Sequence, residues 1–380
     1  MSRRSIKMAL IALALGAPLD AQTTDTLFRS WEWDEEPQSA RAAALGGAVA
    51  AAASDAASAA LYPALLSLFS ETDVRLSARY AGSGSVGLDH TTARWTLAQG
   101  AVAHPVGLSS GLAVYYRSPR SVELDIVAAS LPDGSSDEGR LAAEVRETGV
   151  AFGTALTPTV RIGVRLGVAH LDLDGHVTSS LPNENETGVS SMADSWEPSA
   201  GVSLLFAPHQ RFQTSLTYDK ELRWSAERAG DSGAVAHDLV APPRLAAGLL
   251  FRPSSVVWVM GQVDWVGWSR VQTALVSADD RPDASELALD DAVDGRLGLE
   301  LHVEYGESSL WNRVVLRFGL HFRSRGLLEY VGSDPVEQER FPGGEHSTDW
   351  SLGVGFGAVE VAWVSRKPSN VWVIGVRHAF

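Results

Sequence analysis

The residues of this chain that could do chemistry are arginines, glutamates and histidines that lie between apolar residues. In several windows charged residues and glycines occupy alternate positions, so one face of an extended segment is polar and the other is apolar. The candidates for a ligand-binding or lumen-facing role are Arg161, Arg165, Arg313, Arg317, His321, Glu300 and His302. A guanidinium group binds a carboxylate through two parallel hydrogen bonds. The arginines are therefore predicted either to orient the carboxylate head group of a ligand or to pair with acidic residues of the protein.

Two motifs are spelled like cofactor-binding or catalytic signatures, but neither has the required context. Residues 82–87 match the glycine pattern of dinucleotide-binding proteins, yet no helix follows them and no βαβ unit surrounds them. Ser109 lies in a Gly-x-Ser-x-Gly sequence, but a nucleophile elbow needs a turn from a strand into a helix, and here a strand follows. The chain has no cysteine, which excludes thiolate chemistry. The sequence thus predicts neither catalytic residues nor a cofactor, and the protein is predicted not to be an enzyme.

Acidic residues dominate the charge balance, and one cluster of them could bind a cation. The formal net charge is -15, which disfavours charge-driven binding to nucleic acid. Six carboxylates crowd one predicted external loop, namely Asp279, Asp280, Asp283, Glu286, Asp290 and Asp291. Oxygen-rich loops can bind calcium, but this spacing matches no known ligand loop. A solvated loop facing lipopolysaccharide, without a metal, is the preferred interpretation.

Strands are the elements that must position the charged side chains, because the alternation has a period of two. The predicted strands lie near residues 72–82, 92–104, 108–118, 141–156, 160–174, 195–207, 211–226, 241–252, 255–276, 293–305, 312–324, 348–356, 358–366 and 370–380. Residues 121–129 either extend the third strand or form a fifteenth. Short connections alternate with long loops, which are predicted at 119–140, 175–194, 227–240, 277–292 and 325–347. A barrel with one short-turn rim and one long-loop rim requires this alternation.

Alternation alone does not separate a membrane barrel from a soluble β-sandwich, because both have one polar face on each strand. The end of the chain favours the barrel. Trp372, Ile374 and Val376 occupy alternate positions before the terminal Phe380, an ending that resembles the assembly signal of outer-membrane barrels. The predicted fold is all-β: a transmembrane outer-membrane β-barrel of about 14 antiparallel strands with a small N-terminal plug.

The first residues have the three-part layout of a secretory signal. Arg3, Arg4 and Lys7 precede a short apolar run at 8–15, Gly16, Ala17 and Pro18 follow, and the small Ala21 precedes the predicted cleavage site. The predicted organisation is a cleaved signal peptide at 1–21, a hatch or plug segment at 22–71 and a transmembrane barrel at 72–380. The protein is therefore expected in the bacterial outer membrane.

The alanine-rich stretch before the first strand resembles the N-terminal hatch of the FadL-type outer-membrane transporter superfamily, which includes PorV/PorQ-like proteins. The resemblance rests on Ala40-Arg41-Ala42, Leu45-Gly46-Gly47-Ala48, Asp55-Ala56-Ala57-Ser58 and Tyr62-Pro63-Ala64. It implies hatch or gating roles for Gly46, Gly47, Asp55, Tyr62, Pro63 and Ala64. Tyr62 departs from the pattern, because the family usually has asparagine there. An amide both donates and accepts hydrogen bonds, whereas tyrosine offers one hydroxyl.

A second resemblance to the same superfamily lies in the predicted ninth strand. Asp264-Trp265-Val266-Gly267-Trp268-Ser269 is similar to a family motif, and it follows Pro242-Pro243-Arg244. Trp265 and Trp268 are interpreted as residues of an interfacial aromatic girdle, with ligand contact as the alternative.

The resemblance implies a channel for passive uptake of hydrophobic compounds such as long-chain fatty acids. The alternative is a PorV/PorQ-like scaffold that does not transport and instead binds secretion or partner proteins. The expected partners are outer-membrane lipid and lipopolysaccharide, a hydrophobic small-molecule ligand and the barrel-assembly machinery, with no nucleic acid. No cofactor and no metal are implied.

Overall fold

The chain is described here from a computed structural model. The described residues are 35–52, 55–86, 89–126, 136–180, 187–230, 233–271, 287–304, 313–324, 329–333, 335, 338, 346–366 and 369–380. The predicted signal peptide, residues 279–286 of the acidic loop and the side chain of Arg313 lie outside the described residues.

The polypeptide forms a closed barrel of fourteen antiparallel strands in chain order. Their bounds are β1 Asp73–Ala81, β2 Arg94–Pro105, β3 Ser110–Ile126, β4 Ser136–Ala155, β5 Val160–Ser180, β6 Thr187–His209, β7 Phe212–Asp219 with Leu222–Gly230, β8 Gly233–Ala241 with Arg244–Phe251, β9 Val257–Val266, β10 Ala292–Glu304, β11 Arg313–Arg323, β12 Ser347–Phe356, β13 Val359–Ser365 and β14 Val371–Ala379. The last strand pairs with the first, from Asp73 opposite Ala379 to Ala81 opposite Val371. The predicted all-β barrel of fourteen strands is confirmed.

Side chains alternate between the lumen and the outside along every strand, as the period of two predicted. On β11, Leu316 and Phe318 are 45% and 39% exposed, whereas Arg317 between them is only 7% exposed. Every strand adds at least one exposed apolar residue to the outer surface: Leu76, Val102, Leu112, Val150, Val164, Val202, Leu216, Leu249, Val263, Leu297, Leu316, Leu352, Val359 and Ile374. A continuous apolar band of this kind needs a non-aqueous neighbour, and a lipid bilayer is one.

Strands β3 to β6 are longer than predicted and continue through much of the expected loops at 119–140 and 175–194. Residues 121–126 extend the third strand rather than form a fifteenth. The cause is apolar packing, because the inward side chains at this end form one buried cluster. This long-loop core contains Leu124, Ile126, Leu141, Val145, Leu171, Leu173, Trp224, Leu239, Trp268 and Tyr330, among others. Burial of their apolar area stabilises strand structure where the composition predicted loops.

The ninth strand is shorter than predicted, because it ends at Val266 rather than near 276. A turn follows at once, in which the Gly267 N–H donates to the Pro243 carbonyl at 3.0 Å and the Arg270 N–H donates to the Gly267 carbonyl at 3.2 Å. This turn directs Trp268 into the long-loop core.

The hatch, described from residue 35, lies inside the barrel as two short helices and a 3₁₀ helix. These are α1 Ala40–Ala44, α2 Ala56–Leu61 and the 3₁₀ helix Pro63–Leu68. Ser39 and Asp55 cap the two helices by accepting from the N–H groups of Ala42 at 3.1 Å and Ser58 at 2.7 Å. Among the described residues, no helix has both the length and the apolar character needed to cross a membrane.

Small residues let the hatch lie directly against the barrel wall. Gly46 and Gly47 follow α1 with φ of 62° and 84°, a left-handed conformation that favours glycine. Opposite them, Gly319 of β11 has no room for a side chain, since an ideal Cβ there would overlap the backbone of Leu45 and Gly46. The alanines of α1 and α2 are buried for the same reason.

Replacing Gly319 with alanine is expected to displace the hatch and destabilise the protein. Overpacking of this kind costs about 1–3 kcal/mol in the free energy of unfolding. The urea midpoint of the folded barrel, followed by tryptophan fluorescence, measures the change. Gly261→Ala is the matched control, because Gly261 points outward and a Cβ there would lie 3.9 Å from Leu297 Cδ2. Equal midpoints for the two variants would contradict the packing of the hatch on β11.

Candidate functional site

A buried carboxylate fastens α1 of the hatch to the wall. Glu300 on β10 accepts from Arg41 Nε at 2.9 Å and from Arg317 Nε at 3.0 Å. His302 Nε2 lies 2.7 Å from the other oxygen of Glu300. Arg41 is 1% exposed and also donates to the Ala52 carbonyl at 3.1 Å, so its charge depends on these partners. This first ion network joins the hatch to two neighbouring strands.

The first network continues to the cap of α2. Arg317 Nη2 donates to Glu360 on β13 at 2.9 Å, and Glu360 pairs with Arg75 on β1. Arg75 Nη1 lies 2.6 Å from Asp55, the capping residue. Burial would raise the pKa of Asp55, but Arg75 and Arg41 hold that pKa well below its ordinary value. Asp55 therefore stays ionised, and its contribution to stability is lost only as the pH falls through that low pKa.

A second ion network anchors the start of the described hatch. Glu35 accepts from Arg117 Nη1 at 2.5 Å and from Arg244 Nη1 at 2.6 Å. Arg244 Nη2 also donates to Asp264 at 3.0 Å, and Arg296 Nε lies 2.7 Å from the other oxygen of Asp264. Burial would raise the pKa of Glu35, but Arg117 and Arg244 together hold it well below its ordinary range. Glu35 of the hatch is thus bound directly by arginines of β3 and β8. Through Asp264 of β9, the same network extends to Arg296 of β10.

Tyr62 lies within the second network, where the family pattern has asparagine. Its buried hydroxyl accepts from Gln262 Nε2 at 3.3 Å and from Arg244 Nη2 at 3.4 Å. Burial raises the pKa of Tyr62, so the hydroxyl is neutral. The next residues begin the 3₁₀ helix, and the Ala64 N–H donates to Ser203 Oγ at 2.7 Å.

An upper cavity lies between the hatch and the long-loop core. Its volume is about 90 Å³, and it is partly open to solvent. Its apolar lining includes Pro37, Val49, Leu61, Val266, Trp268, Trp350 and Val364. Its charged lining comprises Glu35, Glu36, Asp294, Asp349, Arg120, Arg244, Arg296, His321, Arg323 and Arg366. Five arginines thus line a chamber together with four carboxylates and the buried Trp268, a combination that suits a ligand with both polar and apolar parts.

A lower cavity lies on the other side of the hatch, at the short-turn rim. Its volume is about 690 Å³, and it is open to solvent. Its lining combines the end of the hatch, at Leu68 and Phe69, with residues of the short turns, such as Pro158 and Pro208. The hatch therefore separates two chambers of the barrel.

The hydrogen-bond ladder of the wall is interrupted between β6 and β7. Pairing stops at Gly201 opposite Asp219, and it resumes at Met192 opposite Glu227 with a register shifted by one residue. Pro198 lies within the interrupted stretch and has no N–H to donate. This interruption is a weak seam in the wall.

Polar side chains and prolines flank this seam. Lys220 Nζ donates to the Pro198 carbonyl at 3.3 Å and to Glu197 at 3.0 Å. Pro242 and Pro243 separate the two halves of β8 beside it, and Pro242 lines the upper cavity. The seam and the upper cavity therefore lie in the same region of the barrel.

The structure disperses the residues that the sequence grouped as lumen candidates. Arg317, Glu300 and His302 belong to the first network, and Arg165 lies 3.0 Å from Asp219. The upper cavity is lined by His321, Trp268, Gly46, Gly47 and Tyr62, whereas Arg161 lines the lower cavity. Trp265 points outward, and Phe380 exchanges backbone hydrogen bonds with Thr72 at 2.9 and 3.0 Å.

Four residues central to the site were not singled out from the sequence: Glu35, Arg41, Arg244 and Arg296. Arg41 and Arg244 lie in the Ala-Arg-Ala and Pro-Pro-Arg motifs, so these motifs could have identified them as site residues. Glu35 lies in an acidic, aromatic stretch that shows no strand period. In the part of the chain that the structure describes, no group of three or more His, Cys, Asp or Glu side chains could hold a metal ion.

Replacing Glu300 with glutamine is expected to loosen the hatch, because Arg41 and Arg317 would lose their shared carboxylate. Removing one partner of a buried ion pair costs about 3–5 kcal/mol. The free energy of unfolding and the rate of proteolysis of the hatch measure the effect. The control is Glu123→Gln, the same change in an exposed pair with Arg140, which should cost at most about 1 kcal/mol. Indistinguishable behaviour of the two variants would show that the first network does not anchor the hatch.

Comparison with known proteins rests on structure alone. No protein-family model and no curated protein matches the chain. A FadL homologue from Pseudomonas aeruginosa superposes with a TM-score of 0.67 at 9% identity, covering 92% of this chain and 99% of the other. The toluene transporter TbuX of Ralstonia pickettii gives 0.60 at 12% identity, covering 93% and 99%. The toluene transporter TodX of Pseudomonas putida also gives 0.60, at 11% identity, covering 92% and 98%. Together with the internal hatch, these matches show that the chain has the fold of the FadL-type transporters.

Proposed function

We propose that this protein is an outer-membrane channel for the passive uptake of hydrophobic compounds such as long-chain fatty acids. The observation that carries the proposal is the upper cavity, which lies between an apolar core and a hatch made of small residues. A rigid structural barrel would have no need for a chamber at this position. The similar folds of two toluene transporters and a FadL homologue support the same class of function.

The lining of the upper cavity suits an amphiphile. An alkyl chain packed beside Val266 and Trp268 would gain about 0.8 kcal/mol for each buried CH₂ group. A carboxylate could bind to the guanidinium groups of Arg296 or Arg323. Because four carboxylates balance most of the positive charge, a neutral hydrocarbon would also be tolerated. The proposal therefore covers the class of hydrophobic compounds, with fatty acids as the example to test first.

The same proposal places the protein in the bacterial outer membrane after removal of a signal peptide at 1–21. The apolar band supports insertion in lipid, and lipopolysaccharide would meet the charged outward residues beyond the band, such as Asp172 and Asp174. The barrel-assembly machinery would recognise the terminal Phe380, which lies exposed at the short-turn rim. No motif of a catalytic site was found, and the protein is proposed to act as a transporter rather than an enzyme.

Two exits from the upper cavity are available to a ligand. The first is a shift of the hatch, which would open the cavity toward the lower chamber. The second is the seam between β6 and β7, where the backbone ladder is interrupted beyond the hydrogen bond from Lys220 N–H to the Ala200 carbonyl. Movement of the hatch requires separation of Arg41 from Glu300, so this route depends on the first network.

A PorV/PorQ-like scaffold is the second candidate, and one observation favours it. Strands β3 to β6 continue beyond the apolar band and carry charged outward residues there, including Arg146 and Asp172. Such a raised wall could bind a partner protein. Under this alternative no ligand would move through the upper cavity.

A disulfide between α1 and β14 is expected to block uptake. An ideal Cβ on Gly375 lies 3.5 Å from the Ala40 Cβ, within the range of a disulfide, and the chain has no other cysteine. In cells that lack their own transporter, labelled oleate and toluene should enter with the wild-type protein. The oxidised Ala40→Cys/Gly375→Cys variant should show at least about tenfold slower uptake, and a reductant should restore it.

The single variants Ala40→Cys and Gly375→Cys are the controls for folding and substitution effects. No uptake of either compound by the wild type would reject transport and favour the scaffold. Normal uptake through a fully crosslinked barrel would reject hatch movement and leave the seam as the exit.

A further inference from the structure

The lower cavity contains two arginines, Arg161 and Arg252, that have no carboxylate partner among the residues that the structure describes. Arg161 on β5 donates a hydrogen bond from Nη1 to the Pro158 carbonyl at 3.3 Å. Arg252, after β8, lies over the ring of Trp258 at 3.9 Å and has no carboxylate partner among the described residues. The Nε atoms of both are buried and unbonded.

The lack of a carboxylate partner distinguishes Arg161 and Arg252 from many other arginines of the barrel. Arg41, Arg75, Arg117, Arg165, Arg244, Arg296 and Arg317 each lie within 3.0 Å of a carboxylate. Burying a guanidinium group without an acceptor costs free energy, which is why inward arginines are generally paired. Arg161 and Arg252 are half-buried and line the same chamber, so one incoming anion could reach both.

The charge balance of the lower cavity favours an anion. Arg377 also lines it, but Asp73 accepts from Arg377 Nε at 3.0 Å, so this pair is neutral overall. Glu71 is the other acid in the lining, and it is exposed. Two unpaired arginines against one solvated glutamate leave a net positive charge. The buried Gln213, whose Oε1 is unbonded, adds a further polar group to this chamber.

The walls beside these arginines are apolar and belong partly to the hatch. Leu68 ends the 3₁₀ helix and Phe69 follows it, while Ala207 and two prolines of the short turns complete the surface. An inorganic anion would gain nothing from these groups. An anion that also has an apolar chain would bury that chain against the hatch.

We propose that the lower cavity is a binding site for an anionic amphiphile, with the carboxylate on Arg161 and Arg252 and the chain against Leu68 and Phe69. The site lies beyond the hatch and is distinct from the upper cavity. It deepens and rests on the proposed transport function, because it would receive a carboxylate ligand after passage of the hatch. The existence of the site can be tested by ligand binding alone, without a measurement of transport.

Direct binding to the purified, folded full-length protein tests this site. Laurate is the anionic probe, methyl laurate is its uncharged counterpart and inorganic phosphate is an anion without a chain. Calorimetric titration should show two classes of laurate site, one in each cavity. Arg161→Gln/Arg252→Gln should weaken the lower class about tenfold or more and leave methyl laurate unchanged, since each charge-assisted hydrogen bond is worth about 1.5–3 kcal/mol.

Arg211→Gln is the matched control, because Arg211 is an exposed arginine of the same rim that does not line the cavity. Unchanged laurate binding in the double variant would overturn the proposal. Displacement of laurate by phosphate at equal concentration would also overturn it, because the chain would then contribute nothing. Laurate binding that depends on Arg161 and Arg252 in a protein that fails to take up oleate would retain the site and reject transport.

Discussion

A carboxylate buried between two guanidinium groups is the interaction on which the interior of this barrel depends. Glu300 binds Arg41 of the hatch and Arg317 of the wall, and both arginines are buried. Desolvation of ions is expensive, and it is offset only when the partners lie in the correct geometry. The hatch consequently has one favourable position along the barrel axis. A shift by one residue would leave buried charges without partners.

The same constraint explains why the lumen is layered. A barrel of fourteen strands is too wide for its own side chains to fill at every level. At the long-loop end apolar side chains meet and form a core, and in the middle a chain segment of small residues fills the remaining space. Cavities remain above and below that segment. Glycine at positions such as 319 lets the segment approach the backbone of the wall, so packing and charge pairing act together.

This layering bears directly on transport. The hatch is fastened by paired charges, and much of its contact with the wall is made by alanine and glycine beside a few buried leucines such as Leu45 and Leu66. A structure of this type can be displaced without unfolding if the charge pairs are exchanged. The proposed path runs from an apolar region, through a chamber lined by both charged and aromatic groups, to a chamber with unpaired arginines. The polarity of the path increases toward the short-turn rim, which suits an amphiphile that must leave lipid for water.

The sequence by itself determined the strand class, the number of strands and the inward direction of residues such as Arg317, because the period of two sets which side chains share a face. It also indicated the hatch through local patterns around Asp55 and Gly46. Only the tertiary structure decided that Arg317 shares Glu300 with Arg41 and pairs with Glu360, and that Arg161 pairs with no acid among the described residues. Pairing between residues 41 and 300 depends on where a remote segment lies in the lumen, and that position follows from packing against many strands at once. The length of β3 to β6 was decided in the same way, since their outer halves are strands because they bury a shared core.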